Sequence, residues 1–294
     1  MYETFFGLRE KPFSLLPDPR YLYASRTHRL GLTLLRYGLA EQTGFVVLTG
    51  EVGTGKTTLL RHLLAADSDD RVVAMVSNTH AGQGELMRWV LLACGQGHQA
   101  GNAPARHAAF LAFLDARRAE GKRVVLIVDE AQNLDAQALE QLRLLSNVNI
   151  GEGYLLQLVL AGQPELRALL QRPDLRQLVQ RISVDHHLEP LGRADTAAYL
   201  RHRLTVAGGR PDLFAEDACA AIHWFGWGIP RLTNALADLA LVYAYADDRP
   251  RVDLDTVLEA AMDRSKGGLT GFRRPEGEAT PERAKLLILD NMQA

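Results

Sequence analysis

Between Phe45 and Leu188, short apolar runs alternate with longer segments in which apolar residues recur at helical spacing. The runs predict the strands of a parallel sheet that is buried on both faces, and the periodic segments predict the helices that cover it. The alternation of strand and helix signals along the chain therefore favours an α/β fold. The strand signals fall within residues 45–50, 72–76, 122–130, 155–160 and 182–188.

The pattern changes after the last of these strands. From Ala194 onward no strand signal returns, and the apolar spacing is helical. We predict an α/β domain over residues 27–189 and a small all-helical domain over residues 190–266, with Trp224 and Trp227 in its core. The helices of the second domain are predicted at 195–207, 216–225, 231–246 and 254–264.

The two ends of the chain have their own patterns. Residues 1–26 are rich in aromatic side chains, and prolines at positions 12, 17 and 19 disfavour helix before them, which predicts an extended arm that packs on the core. A role of this arm in lining an adenine pocket is compatible with that packing. Residues 267–294 are predicted to be a polar tail with a short helix, and whether it packs back or binds a partner stays open.

The amino-acid composition limits the class of protein to which the chain can belong and the cellular compartment in which we expect it. With 294 residues and 47% hydrophobic content the chain is globular, and a net charge of −2 gives no bulk attraction to nucleic acid or anionic lipid. Cys94 and Cys219 match no metal-ligand spacing, so we expect free thiols in the core of a cytoplasmic protein. No apolar run reaches the roughly 18 residues of a membrane span, and the N-terminus is not a signal peptide. Any attachment to the inner membrane would need a partner.

The stretch FVVLTGEVGTGKTTLL, which begins at Phe45, combines a strand, a glycine-rich turn and the start of a helix. It fits the pattern G-x-x-x-x-G-K-[ST], in which backbone N–H groups at the helix N-terminus surround phosphates. Lys56 would reach the β- and γ-phosphates, and the Thr57 hydroxyl would ligand Mg²⁺. We therefore predict an ATP site made by Gly50, Glu51, Val52, Gly53, Thr54, Gly55, Lys56, Thr57 and Thr58.

A pair of acidic residues follows the third predicted strand. Asp129 and Glu130 stand at its carboxyl end, where open α/β sheets bind ligands. Asp129 would hold Mg²⁺ together with Thr57, and Glu130 would polarise the attacking water. Asn78, after the second strand, is placed to hydrogen-bond Glu130, although a strand-end cap is an equal alternative.

Other polar residues follow or precede the remaining strands. Gln163 ends the fourth strand, where its amide would meet the γ-phosphate. Arg176 and Arg181 precede the fifth strand, and arginine at such a position commonly points out of its own domain. The alternative is a surface arginine bonded to a local carboxylate. Arg231 begins a helix of the second domain and would swing toward the nucleotide.

These motifs together carry a family resemblance. They read YETFFGLREKPF, PDPRYLY, GEVGTGKTTLL, VLIVDEAQNL, LRLLSN, LVLAGQPEL, LRQLVQRI and GIPRLTN. Over roughly residues 1–264 the chain resembles the general secretion pathway protein A family of AAA+ ATPases, and it is similar to the pilus-biogenesis and exosortase-associated members.

The resemblance implies a parallel five-stranded P-loop sheet of order 5-1-4-3-2 followed by a helical lid, and Mg²⁺-dependent ATP hydrolysis. By position, it implies Gln163 as the first sensor and Arg231 as the second. It also implies Arg181, with Arg176 in reserve, as an arginine finger given to a neighbouring subunit, and hence a homo-oligomer that forms on nucleotide.

The resemblance further implies a function in assembling or remodelling a secretion, pilus or exopolysaccharide machine, with protein partners from that machine. Thr79 departs from the family, which usually has proline there, and the membrane span and peptidoglycan-binding module of longer members are absent from the sequence. The alternative is a DNA-binding AAA+ regulator of the transposition-target-selector type. Near-neutral charge argues against it, but a basic ring channel would leave nucleic acid binding open.

Overall fold

The computed structural model describes residues 1–16, 18–41, 44–65, 70–77, 86–97, 101–147, 155–266, 271–274 and 280–293. The chain divides into two units. The first, which we call the α/β unit, comprises Thr27–Gly50 and Leu59–Leu188. The second, the helical unit, comprises Met1–Arg26, Glu51–Thr58 and Glu189–Ala294.

The α/β unit contains a 5-stranded sheet in which every pairing is parallel. Its order, β2-β3-β4-β1-β5, is the predicted 5-1-4-3-2 read from the opposite edge, which confirms the predicted fold class. The central strands are mainly apolar because both faces are covered. The strands are β1 (Phe45–Gly50), β2 (Arg71–Val76), β3 (Arg123–Val128), β4 (Leu156–Gly162) and β5 (Ile182–Leu188).

The four helices predicted between residues 195 and 264 begin and end within two residues of the predicted positions. In the α/β unit, side-chain caps fix two helix starts, since Asn102 accepts from the N–H of Ala105 at 3.0 Å and Asp135 from that of Ala138 at 2.7 Å. The helices are α1 (Tyr2–Phe5), α2 (Arg26–Ala40), α3 (Lys56–Ala65), α4 (Leu86–Ala93), α5 (Ala103–Ala119), α6 (Ala136–Leu145), α7 (Pro164–Leu170), α8 (Arg176–Val179), α9 (Arg193–Val206), α10 (Glu216–Gly226), α11 (Pro230–Ala246), α12 (Leu254–Lys266) and α13 (Pro281–Gln293). None of the helices in the described ranges has both the length and the apolarity to cross a bilayer.

Strand β1 shows how the α/β unit is packed. Phe45 and Val47 belong to one cluster of buried side chains, and Val46 and Leu48 belong to a second cluster. Because successive strand residues point to opposite faces, the sheet has a core on each side. The polar groups that end the central strands therefore stand on a rigid frame.

The helical unit buries the N-terminal aromatic residues. Tyr2 and Phe13 are 2% and 1% exposed, and they share a core cluster with Phe225 of α10. The guanidinium of Arg203 lies 4.5 Å from the centre of the Tyr21 ring and donates to the carbonyl of Pro12 at 2.5 Å. The N-terminal segment is thus held by packing, a cation–π contact and a backbone hydrogen bond.

Two local predictions for the helical unit were wrong. The N-terminal segment is not extended throughout, because α1 lies ahead of the first proline and that proline restricts only its own neighbourhood. Trp227 is not core, because α10 ends at Gly226 and Trp227 turns out of the helix with φ 56°. It is 49% exposed, and the guanidinium of Arg273 lies 3.8 Å from the centre of its ring. Trp224, at 8% exposed, is buried as predicted.

Cys94 and Cys219 are both buried and free, as predicted. Burial raises the pKa of each thiol to about 11, since a thiolate is poorly solvated there. Both side chains therefore act as small apolar groups rather than as nucleophiles.

We expect Leu158→Ala to destabilise the α/β unit by about 2–5 kcal/mol, because Leu158 lies in the centre of β4 with 0% exposure and its removal leaves a cavity. Chemical denaturation checks this value. Leu144→Ala is the matched control in the same unit, since Leu144 is 51% exposed, and it should change stability by less than about 0.5 kcal/mol. Equal losses for the two variants would contradict the assignment of the core.

Candidate functional site

The glycine-rich loop connects the end of β1 at Gly50 to the start of α3 at Lys56. Within the loop, the carbonyl oxygen of Glu51 accepts from the Thr54 Oγ1 at 2.9 Å and from the Lys56 Nζ at 3.1 Å. The Lys56 side chain is 6% exposed although it carries a charge. These contacts hold the loop in a closed turn at the N-terminus of a helix, where backbone N–H groups and the helix dipole favour an anion.

The glycines of this loop have conformations that other residues avoid. Gly53 has φ 85° and Gly55 has φ 102°, both in the left-handed region. A Cβ placed on Gly53 would lie 2.5 Å from the Cβ of Arg231. The N–H of Arg231 also donates to the carbonyl of Gly53 at 3.3 Å. The structure therefore brings the start of α11 directly against the glycine-rich loop within the helical unit.

The acidic pair lies at the end of β3. The N–H of Asp129 donates to the carbonyl of Val76 at 2.9 Å, which continues the β2–β3 ladder to this residue. Asp129 is buried, and its Oδ1 accepts from the N–H of Glu130 at 3.0 Å. Glu130 has φ 54°, a left-handed conformation that is unfavourable for a side chain of this size. The chain turns sharply here into a 3₁₀ turn at Ala131–Asn133.

Two glutamine amides contact the Glu130 carboxylate. The Oε2 of Glu130 accepts from the Gln132 Nε2 at 2.6 Å and from the Gln163 Nε2 at 3.2 Å. Gln132 also accepts, through its Oε1, from the backbone N–H of Gln163 at 3.0 Å. The neighbouring ends of β3 and β4 are thus joined by one network of side chains, in which Glu130 and Gln163 are in direct contact.

Gln132 was missed in the sequence analysis. Its only signal there is its position two residues after Glu130, and it returns toward the sheet only because the left-handed turn at Glu130 reverses the chain. Asn78, which we predicted to contact Glu130, lies outside the described residues, as does Thr79.

The two arginines before β5 have different surroundings. Arg181 points back into its own unit, where its Nη1 donates to the Oγ of Ser146 at 2.9 Å. The end of α6 supplies this partner, which no local pattern around Arg181 reveals. Arg176, at the start of α8, has an exposed side chain.

Residues 39–170, which include the glycine-rich loop and the acidic pair, match the AAA domain family. The chain is also 44% identical over 250 residues to General secretion pathway protein A of Aeromonas hydrophila. The chain is an AAA+ protein related to general secretion pathway protein A. The alignment includes 84% of this AAA+ protein but spans only 45% of the length of that relative.

Solved structures share the fold of this AAA+ protein. The Aeropyrum pernix ORC2 protein, solved as ADPNP-ADP complexes, has a TM-score of 0.65 at 18% identity, with 86% of this chain and 71% of that chain covered. Drosophila ORC bound to DNA has a TM-score of 0.64 at 14% identity, with 87% of this chain and 65% of that chain covered. At such identities the likeness shows the fold alone.

The glycine-rich loop of this AAA+ protein has the chemistry of a nucleotide site. The helix N-terminus and Lys56 supply the positive donors that phosphates require, and the Thr57 hydroxyl is a hard oxygen ligand of the kind that Mg²⁺ selects. In the α/β unit, the Asp129 carboxylate is a ligand of the same kind. Of the remaining loop residues, Glu51 and Val52 are exposed and Thr58 is half-buried.

Proposed function

We propose that this chain hydrolyses ATP to ADP and phosphate, with Glu130 as the residue that activates water. The observation that carries the proposal is the geometry at the end of β3. There, Glu130 follows the buried Asp129, and two amide donors orient its carboxylate. A carboxylate held in this way is suited to accept a proton from a water that attacks a phosphoryl group.

The other side chains of the site have separate roles in this proposal. Gly50 to Thr58 bind the phosphates, Lys56 neutralises the β- and γ-phosphates, and Thr57 and Asp129 hold Mg²⁺. Bound Mg²⁺ would neutralise charge that develops on the phosphate oxygens. Gln163 senses the γ-phosphate as the first sensor. Arg231, whose N–H contacts the carbonyl of Gly53, is the second sensor.

We propose further that the active form is a homo-oligomer in which an arginine enters the site of a neighbouring subunit. Arg181 is the first candidate for this finger, and to act it must release the hydroxyl of Ser146. Arg176 is the alternative, and its exposed side chain is free to reach outward without such a change. An arginine finger supplied in this way typically raises turnover by roughly 10³–10⁵-fold, so activity would depend on assembly.

The pathway is proposed from the relative that is named a general secretion pathway protein. We propose that hydrolysis drives the assembly or remodelling of a secretion, pilus or exopolysaccharide machine through contacts with its protein components. We place the chain in the cytoplasm, where ATP is supplied and where buried free thiols stay reduced, with any contact to the inner membrane made through a partner.

The test is the ATPase rate per subunit as a function of protein concentration. We expect this rate to rise with concentration, and we expect Arg181→Ala or Arg176→Ala to abolish the rise. Arg172→Ala is the matched control, since Arg172 is exposed and pairs with Asp174 at 2.8 Å on the surface. A rate that is independent of protein concentration and unchanged in both variants would overturn the proposal that one of these arginines acts in the site of a neighbouring subunit.

The same assay with double-stranded DNA separates this proposal from a DNA-bound regulator. We expect DNA to leave the rate unchanged. A rate that DNA raises, and that falls again as salt is added, would overturn the role in an envelope machine, because phosphate contacts weaken steeply with salt.

A further inference from the structure

Gln132 makes two contacts at this site and has no role among the predictions from the sequence. Its side chain lies between the end of β3 and the end of β4 and is half-buried. One end of its amide donates to the Glu130 carboxylate, and the other end accepts from the backbone of Gln163. It is therefore a bridge between the proposed water-activating residue and the strand that carries the proposed first sensor.

The chemistry of its partners fixes the orientation of this amide. A backbone N–H can only donate, so it must face the Oε1 of Gln132. An ionised carboxylate can only accept, so it must face the Nε2. Both requirements are met by one orientation, and the flipped amide would place like groups together at both ends. The Nε2 of Gln132 therefore donates to the Glu130 carboxylate, and this direction of the hydrogen bond is fixed.

The two donors to Glu130 are not equivalent. The bond from Gln132 measures 2.6 Å and the bond from Gln163 measures 3.2 Å, so the first is the stronger. Moreover, Gln132 is anchored to the main chain of Gln163 rather than to its side chain. If the Gln163 amide turns toward a phosphate, Gln132 keeps both of its own contacts. It can hold Glu130 while the sensor changes its partner.

The end of β4 leaves space for this bridge. A Cβ placed on Gly162 would lie 2.8 Å from the Oε1 of Gln132, closer than side chains tolerate. Because Gly162 has no side chain, the amide of Gln132 can lie against the end of β4. The turn at Glu130, with φ 54°, also persists only where surrounding contacts determine it.

We propose that Gln132 is a positioning residue that holds the Glu130 carboxylate in place while Glu130 activates water. This inference rests on the ATP hydrolysis proposed above. Gln132 contacts neither the phosphate nor the water in this role. It acts through Glu130, so its removal should slow the chemical step and spare nucleotide binding.

Two variants separate the two ends of the amide. Gln132→Met keeps the length and volume of the side chain and removes both hydrogen bonds. We expect turnover to fall roughly 10- to 100-fold, as small misplacements of reacting groups do. The affinity for nucleotide should change by less than about twofold, because ground-state binding is untouched. Gln137→Met, at an exposed position on α6, is the matched control.

Gln132→Glu keeps an acceptor for the Gln163 N–H but places a second carboxylate against Glu130. The amide donor that faces the Glu130 carboxylate is lost, and the second carboxylate repels Glu130. Turnover should therefore fall at least as far as in Gln132→Met, although the bond to Gln163 is kept. Turnover of Gln132→Glu close to that of the wild type would overturn the need for a donor to Glu130.

The measurements are phosphate release, nucleotide affinity with a fluorescent ATP analogue, and thermal denaturation of each variant. Unchanged turnover in Gln132→Met, with an active wild type, would overturn the role of Gln132 alone. Loss of nucleotide affinity in parallel with turnover would also overturn it, because the residue would then support the fold of the site. A wild type that does not hydrolyse ATP would overturn the proposed function and the role of Gln132 together.

Discussion

Replacing Glu130 with glutamine is expected to lower ATP turnover by roughly 10²–10⁴-fold, the contribution typical of a general base. The substituted amide has the same size and cannot take a proton from water. Its oxygen can still accept from the Nε2 of Gln132, so the turn after β3 should remain intact. Nucleotide affinity should stay close to that of the wild type. Phosphate release and binding of a fluorescent ATP analogue measure the two quantities separately.

Glu165→Gln is the matched control for this substitution, because Glu165 is an exposed acid in the first turn of α7. It should leave turnover unchanged. Turnover of Glu130→Gln within about threefold of the wild type would mean that another group activates the water.

Lys56→Ala is expected to weaken ATP binding by about 100-fold or more, because charged hydrogen bonds to phosphate contribute about 1.5–3 kcal/mol each. The loop itself should keep its shape. The Glu51 carbonyl retains the hydroxyl of Thr54 as a donor after the lysine is removed. The loss would thus be a loss of charge at the site rather than of fold.

Stabilisation by nucleotide measures this loss. A ligand at 100 times its dissociation constant stabilises a protein by about 2.7 kcal/mol, which appears as a higher melting temperature. At the same ATP concentration we expect this increase in the wild type and about 0.4 kcal/mol or less in Lys56→Ala. Lys266→Ala is the control, since Lys266 is an exposed residue that pairs with Asp263 at 2.7 Å. Equal stabilisation of Lys56→Ala and the wild type would contradict the phosphate-binding role of Lys56.

The features predicted correctly from the sequence are those that depend on local pattern and on burial. Strands such as β3 and β4 are mainly apolar because both faces are covered, so their position and the polar residues at their ends could be read directly. The sheet order was predicted from the family resemblance, which rests on several motifs at once. The contact between Glu130 and Gln163 was not predicted, and it arises because neighbouring parallel strands end at the same edge.

The features that were missed depend on single backbone angles or on distant partners. Trp227 leaves its helix because the chain turns to φ 56°, which hydrophobicity does not reveal. Gln132 reaches Glu130 through another such turn. Arg181 is held by Ser146, which is 35 positions away in the chain. Each of these outcomes is set by the folded surroundings of one side chain.

The left-handed turn at Glu130 has a consequence for how related sequences are read. Glycine adopts this backbone conformation without steric cost, and asparagine tolerates it better than most residues. Glutamate at this position is thus an unfavourable choice for the backbone, and drift without selection on chemistry would replace it. In a relative with glycine or asparagine at the corresponding position, the turn would be unstrained and the carboxylate of Glu130 would be missing. Such a relative would bind nucleotide without hydrolysing it.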